Sequence, residues 1–141
     1  MHEKRIEIRW RDLDALGHVN NAVYLVYLEE VRTAWLADAL GADGDVLSYV
    51  LARVAVDFRR ELALADEAVV VRCGLAEIGR SSIRTAEEIR TAGGELAAEA
   101  EAVLVARDGD SGASRPLTDA ERTALERSVS PGTGSARSAG A

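Results

Sequence analysis

The stretch Asn20-Asn21-Ala22-Val23-Tyr24-Leu25-Val26-Tyr27-Leu28-Glu29-Glu30-Val31-Arg32-Thr33-Ala34-Trp35-Leu36-Ala37-Asp38-Ala39-Leu40 decides how the rest of the chain must fold. Its spacing predicts a helix from Asn20 to about Leu40. Val23, Tyr27 and Val31 line one edge, with Val26, Trp35 and Leu36 near it. Ala22, Leu25, Leu28, Ala34 and Ala37 fill most of the remaining circumference. The first two turns carry no charge, and Glu29, Glu30, Arg32 and Asp38 come only later. A helix apolar on nearly all sides belongs inside something. At roughly 20 residues it would be ~30 Å long, and Gly41 just beyond it suits a C-terminal stop.

Working outward, Ile6, Ile8 and Trp10 alternate with Glu7, Arg9 and Arg11, the period of a half-buried strand. A loop, Asp12-Leu13-Asp14-Ala15-Leu16-Gly17-His18, joins that strand to the helix. Beyond the helix lie four strand-like segments. In the first, Val50, Ala52, Val54, Val56 and Phe58 alternate with Leu51, Arg53, Ala55, Asp57 and Arg59. The next runs from Ala68 to Ile78, and then Ser82 to Thr91 places Ile83, Thr85, Glu87 and Ile89 on one face. The last, Leu96 to Arg107, gathers Ala98, Ala100, Ala102 and Leu104 on one side. Gly79 and Gly93-Gly94 between the later segments are hairpin signals, so successive strands are expected to form an antiparallel meander. Thr118-Asp119-Ala120-Glu121 reads as a capping box opening a short helix to about Arg127. The expected architecture is α+β: a five-stranded antiparallel sheet curled around one long helix, with a short C-terminal helix. Residues 1–127 make one domain, and 128–141, rich in Ser, Gly and Ala, are expected to be disordered.

A chain of 141 residues fits one domain. Its 48% apolar and 29% charged residues are the balance of an ordinary soluble globule. A formal charge of -7 argues against a nucleic-acid surface. Cys73 is the only cysteine, which excludes an internal disulfide and a multi-cysteine metal site. With only His2 and His18 present, no metal site is expected. No apolar run approaches the ~18 residues of a membrane span. The segment Met1 to Glu7 lacks a signal peptide's apolar stretch, so the expected location is cytoplasmic.

The run from Asp12 to Tyr24, with its Asp-x-x-Gly-His-Val-Asn-Asn-x-x-Tyr core, resembles the signature of hotdog-fold acyl-thioester hydrolases, the 4-hydroxybenzoyl-CoA thioesterase-like family. The resemblance extends from Lys4 to about Arg107 through the element order and the Gly79-Arg80-Ser81-Ser82 turn. It implies the hotdog fold, pairing into homodimers or homotetramers, and hydrolysis of acyl-CoA thioesters with no metal or cofactor, coenzyme A being part of the substrate. A carboxylate at Asp14 can attack the thioester carbonyl or deprotonate a water. The first N–H groups of the long helix lack intrahelical partners, so the amide of Asn21 or its neighbour is a natural oxyanion donor, worth roughly 3 kcal/mol. Gly17 lets the chain turn tightly into the cleft.

By the same resemblance, Asp14 matches the catalytic acid, Asn21 the carbonyl-polarising amide, and His18 and Asn20 recurrent active-site positions. Plant acyl-carrier-protein thioesterases have an asparagine where this chain has Leu16, which tells against an Asp-Asn-His triad and leaves Asp14 as the main candidate. Glu29 and Glu30, nominees from a branch that uses a mid-helix glutamate, lie beyond the helix start and rank below Asp14. Asp12 is expected in a turn or salt bridge, Asn20 or Asn21 as the helix cap, Tyr24 and Tyr27 in packing with Tyr24 the candidate for lining an acyl pocket, and Cys73 as an inert buried thiol. The resemblance also implies that the Gly79–Ser82 turn reaches the thioester from the partner protomer, with Arg80, Ser81 and Ser82 touching substrate. Arg80, Arg84 and Arg115 are candidates for the phosphates of coenzyme A. Alternatives are a non-catalytic acyl-thioester-binding protein, an acyl-carrier-protein thioesterase and an enoyl-thioester hydratase. Neither nucleic acid nor membrane is an expected partner.

Overall fold

The computed structural model describes residues 1–129. β1 (His2–Glu7) leads through a short 3-10 turn (Trp10–Asp12) to α1 (Asn21–Leu40). There follow β2 (Tyr49–Phe58), β3 (Ala68–Ile78), β4 (Ser82–Thr91), β5 (Leu96–Ala106) and a short helix, α2 (Asp119–Arg127). The strands form one antiparallel sheet in the order β1-β3-β4-β5-β2, and α1 packs across β1, β3 and β4. This is the hotdog arrangement. Among the described residues no helix is long and apolar enough to cross a membrane. The tail expected at 128–141 lies, from residue 130 on, outside the described residues; Ser128 ends α2 with its N–H on the Ala124 carbonyl.

Two expectations change. The first strand ends at Glu7. Ile8 is still buried, but the chain then tightens into the 3-10 turn and leaves Trp10 80% exposed. The cause is Asp12, whose carboxylate accepts the Arg9 N–H and the Arg9 guanidinium and folds the segment back. The meander also holds only for β3, β4 and β5. β2 lies beyond β5 at the sheet edge, with Tyr49 opposite Ala106 and Phe58 opposite Ala98. The glycine turns join only the later strands, and nothing local in residues 59–67 fixes which neighbour β2 takes.

Period-two alternation sorts the sheet faces. Val69, Val71 and Cys73 of β3, Ile83, Thr85, Glu87 and Ile89 of β4, and Ala98, Ala102 and Leu104 of β5 are buried. The opposite face carries cross-strand ion pairs such as Arg53–Glu101, Arg59–Glu99 and Arg72–Glu3. From α1, Tyr27, Leu28, Val31, Trp35 and Leu36 fill the inward side, each worth about 1.5–3 kcal/mol if fully transferred from water. One charged pair sits among them. Arg32 Nε and Nη2 donate to Glu87 Oε2 and Oε1 at 2.7 and 2.8 Å, and Thr85 Oγ1 donates to Oε2 at 2.6 Å. Burial pushes the neighbouring Cys73 thiol well above its ordinary pKa, so it stays protonated.

The described residues do not cover the helix all round. Leu25 (38% exposed) and Val26 (44%) on α1, with Leu51 (47%) and Phe58 (46%) on β2, leave apolar surface beside the edge strand.

Candidate active site

The loop between β1 and α1 is a stapled structure. Asp12 is buried, and its Oδ2 accepts the Tyr27 hydroxyl at 2.7 Å and the Arg9 N–H at 2.9 Å. Its backbone carbonyl accepts the Asn20 N–H at 2.9 Å. Burial alone would raise the Asp12 carboxyl, but the Arg9 N–H, the Tyr27 hydroxyl and the Arg9 guanidinium outweigh it and hold it below its ordinary value. The Tyr27 hydroxyl is pushed up in turn by burial and by that carboxylate. Leu13 pairs with Val19 as a short bridge, which closes Asp14–His18 into a tight loop. Within it the Asp14 N–H meets the His18 carbonyl at 2.9 Å, and the Gly17 N–H meets the Asp14 carbonyl at 3.0 Å. Gly17 has φ +81°, a conformation side chains resist, so the turn requires glycine here.

Asp14 is half-buried, and its Oδ1 accepts the Leu16 N–H at 2.9 Å. Oδ2 has no hydrogen-bond partner among the described residues. At the start of α1, Asn20 takes two of the open amides: its Oδ1 accepts the Ala22 N–H at 2.8 Å and its carbonyl the Val23 N–H at 2.8 Å. The Asn21 N–H is left without a partner among the described residues, at the positive end of the helix dipole. His18 turns aside, with Nε2 2.7 Å from Glu61 Oε2 in a surface pair. Tyr24 is buried. Its hydroxyl donates to the Arg60 carbonyl at 2.9 Å, and its ring meets Phe58 edge-on at 5.1 Å.

The Gly79–Ser82 turn lies at the other end of the sheet. β1 pairs Glu7 with Ala68, the start of β3, whereas the turn follows Ile78 at its end. Eleven strand residues at about 3.3 Å each separate the two by roughly 30 Å. The turn is braced: the Arg80 carbonyl accepts the Leu117 N–H, the Ser81 carbonyl the Ala106 N–H, both at 2.9 Å, and the Gly79 carbonyl the Arg122 guanidinium at 3.0 Å. Arg84 is paired with Glu77 and Arg115 with Glu121, while Arg80 is exposed and has no carboxylate partner among the described residues.

The family model of the thioesterase-like superfamily matches residues 8–126, the stapled loop, the helix and the whole meander included. The chain belongs to that superfamily. It is a thioester hydrolase. No curated protein matches it by sequence. A thioesterase from Thermus thermophilus, solved with coenzyme A and zinc, is 36% identical with a TM-score of 0.80, over 89% of this chain and 91% of that one. A predicted thioesterase from Bacillus stearothermophilus is 27% identical, TM-score 0.80, over 89% and 93%. A 1,4-dihydroxy-2-naphthoyl-CoA thioesterase from Synechocystis, 19% identical with a TM-score of 0.75 over 88% and 94%, shares the fold.

In this thioesterase, then, one end of the sheet brings together Asp14, His18, Asn20, Asn21 and Tyr24, while Arg80, Ser81 and Ser82 stand at the other. Among the described residues no group of three or more His, Cys, Asp or Glu is placed to hold a metal ion. Sequence reasoning missed the Asp12–Tyr27 staple. Its signal was present: Tyr27 falls on the inward stripe of a helix that starts only nine residues after Asp12, and a buried tyrosine hydroxyl needs a partner.

Proposed function

We propose that this thioesterase hydrolyses acyl-CoA thioesters as a cytoplasmic homodimer, with Asp14 as nucleophile or general base and the Asn21 N–H polarising the carbonyl. One observation carries the reading. The loop fixes Asp14 through Oδ1 and leaves Oδ2 uncommitted, seven residues before the first amide of α1, which Asn20 does not take, and the Leu13–Val19 bridge and the Asp14 N–H to His18 carbonyl bond fold the loop back toward the helix start. As nucleophile, Oδ2 attacks the thioester carbon, the C–S bond breaks, and the thiolate departs to be protonated by solvent. Water then hydrolyses the mixed anhydride and restores the carboxylate. As base, Oδ2 takes a proton from a water whose oxygen attacks the same carbon; the C–S bond then breaks, and the proton on Oδ2 passes to the departing thiolate. Either route places negative charge on the carbonyl oxygen, where one preorganised N–H is worth roughly 3 kcal/mol. Neither calls for a metal or a cofactor, since a thiolate is a good leaving group.

The edge position of β2, unpaired on its outer side among the described residues, supports the dimer. β2 runs with its Tyr49 end at the same end of the sheet as the Gly79–Ser82 turn, one strand away across β5, and its Phe58 end beside Tyr24, where the His18–Ala63 bridge brings the Asp14 loop. Antiparallel pairing of two β2 edges about a two-fold axis sets the Tyr49 end of one copy against the Phe58 end of the other. Each Asp14 then receives the turn of the second copy, with Ser81 and Ser82 near the thioester and Arg80 toward the phosphates of coenzyme A. The same pairing covers Leu51 and Phe58, which single chains leave in water. The coenzyme A held by the Thermus thermophilus relative supports that carrier.

The test is release of free thiol from acyl-CoA substrates, followed beside hydration of an enoyl-CoA. Thiol release supports the proposal. Hydration with the thioester intact would make the protein a hydratase, and binding without either reaction a non-catalytic carrier of acyl thioesters. Turnover confined to acyl-carrier-protein thioesters would move the substrate to that class.

A further inference from the structure

A cavity of about 260 Å³ opens between the middle of α1 and the Tyr49 end of β2. Leu36, Val46, Leu51 and Leu104 line it, and Tyr49 closes one side with its hydroxyl held 2.9 Å from Glu121. The α1 wall adds Glu29, Arg32 and Thr33. We propose that this cavity receives the acyl group of the thioester cut at the second copy's Asp14, and that it selects compact, uncharged acyl groups. The inference rests on the dimeric hydrolase proposed above and names its substrate class.

Position, size and charge each contribute. The antiparallel edge pairing lays the Tyr49 end of one β2 beside the other copy's Phe58 end, where that copy's Asp14 loop sits, so the cavity lies next to that site. Its volume, at about 30 Å³ per water-sized group, holds roughly nine non-hydrogen atoms, a chain of up to about eight carbons or one aromatic ring. Carbons beyond about the eighth find no further enclosed apolar volume in this cavity.

The charge follows from who is already paired. Both contacting nitrogens of Arg32 are spent on Glu87, so the guanidinium is neutralised and is not offered to a ligand. Glu29 is exposed, lines the same wall, and has no ion-pair partner among the described residues. The net wall charge is negative. An acyl group ending in a carboxylate is therefore repelled, while a neutral one of equal length is not.

The experiment compares kcat/KM for acetyl-, hexanoyl-, octanoyl-, benzoyl-, palmitoyl- and glutaryl-CoA in the native protein and in two variants at exposed positions. Hexanoyl- or benzoyl-CoA is expected to lead, with palmitoyl- and glutaryl-CoA lower by about tenfold or more. Thr33→Phe, which fills the cavity from the helix side, is expected to lower the octanoyl-to-acetyl ratio about tenfold. Glu29→Gln is expected to raise the glutaryl-to-hexanoyl ratio by a similar factor. Ratios within one preparation do not depend on how much of a variant is folded. Palmitoyl-CoA as the best substrate, or ratios unmoved in both variants, overturns the cavity's role and leaves the hydrolase standing. No hydrolysis of any thioester overturns both.

Discussion

Replacing Arg32 with methionine isolates the Arg32–Glu87 pair buried in the core. The two side chains are 7% and 0% exposed, so the Glu87 carboxylate has no route to water in the folded chain. It accepts two hydrogen bonds from Arg32, one from Thr85 and a long contact from the Cys73 thiol at 3.8 Å. Arg32→Met leaves only the last two, and a buried charge stripped of its partner costs about 3–5 kcal/mol. For a domain of this size that is a fall in Tm of roughly 10–15 °C. The double variant Arg32→Met, Glu87→Leu removes both charges and keeps the volume, and such replacements range from neutral to stabilising. It is expected to recover most of the loss. Urea unfolding at one fixed protein concentration reads all the variants, because self-association would otherwise shift the midpoints. Additive losses in the double variant, or a single-variant loss below about 1 kcal/mol, would refute the view that the pair is balanced within a dry core.

Two further outcomes follow from the same hydrogen bonds. Tyr27→Phe takes one donor from the buried Asp12 carboxylate and should cost about 1.5–3 kcal/mol in urea unfolding; an unchanged midpoint would mean that the staple does not anchor the loop. Arg115 above all, helped by the Thr118 N–H and the Tyr49 hydroxyl, holds Glu121 down to about 2 from its ordinary 4.5 despite burial. Because the folded value is the lower one, this stabilisation is present above pH 4.5 and is lost as pH falls toward 2, roughly 3 kcal/mol in all. Glu121→Gln should therefore lower Tm at pH 6 and change it little near pH 2, and an equal loss at both would exclude the linkage.

Much of this was legible in the sequence because the signals were local. The helix starts one residue from its predicted beginning, β3 and β4 keep their predicted bounds, and Gly41 takes a positive φ while its N–H bonds the Ala37 carbonyl. The Thr118–Glu121 capping box forms with both of its bonds. What stayed hidden was non-local. Periodicity placed Glu87 on the inward face of β4 yet did not name its partner, which is 55 residues away. A sharper reading was available: Arg32 stands four residues from both Leu28 and Leu36 on the inward stripe, and a buried arginine demands a buried acid. The edge position of β2 depends on a crossover that no short turn encodes. At the loop, the Asp-x-x-Gly-His-Val-Asn-Asn pattern located Asp14 and Asn21, but it could not tell that Asn20 takes two amides and leaves the Asn21 N–H open, which only the folded backbone decides.

Asp14→Asn tests the chemistry at the loop most directly, since asparagine keeps an oxygen for the Leu16 N–H and alters only the charge and basicity of the group. Steady-state thiol release from hexanoyl-CoA, with Tm measured on the same preparation, is expected to show kcat lower by about 10² or more and Tm almost unchanged. Turnover at the native rate in a folded Asp14→Asn protein would contradict the assignment of the reaction to this carboxylate.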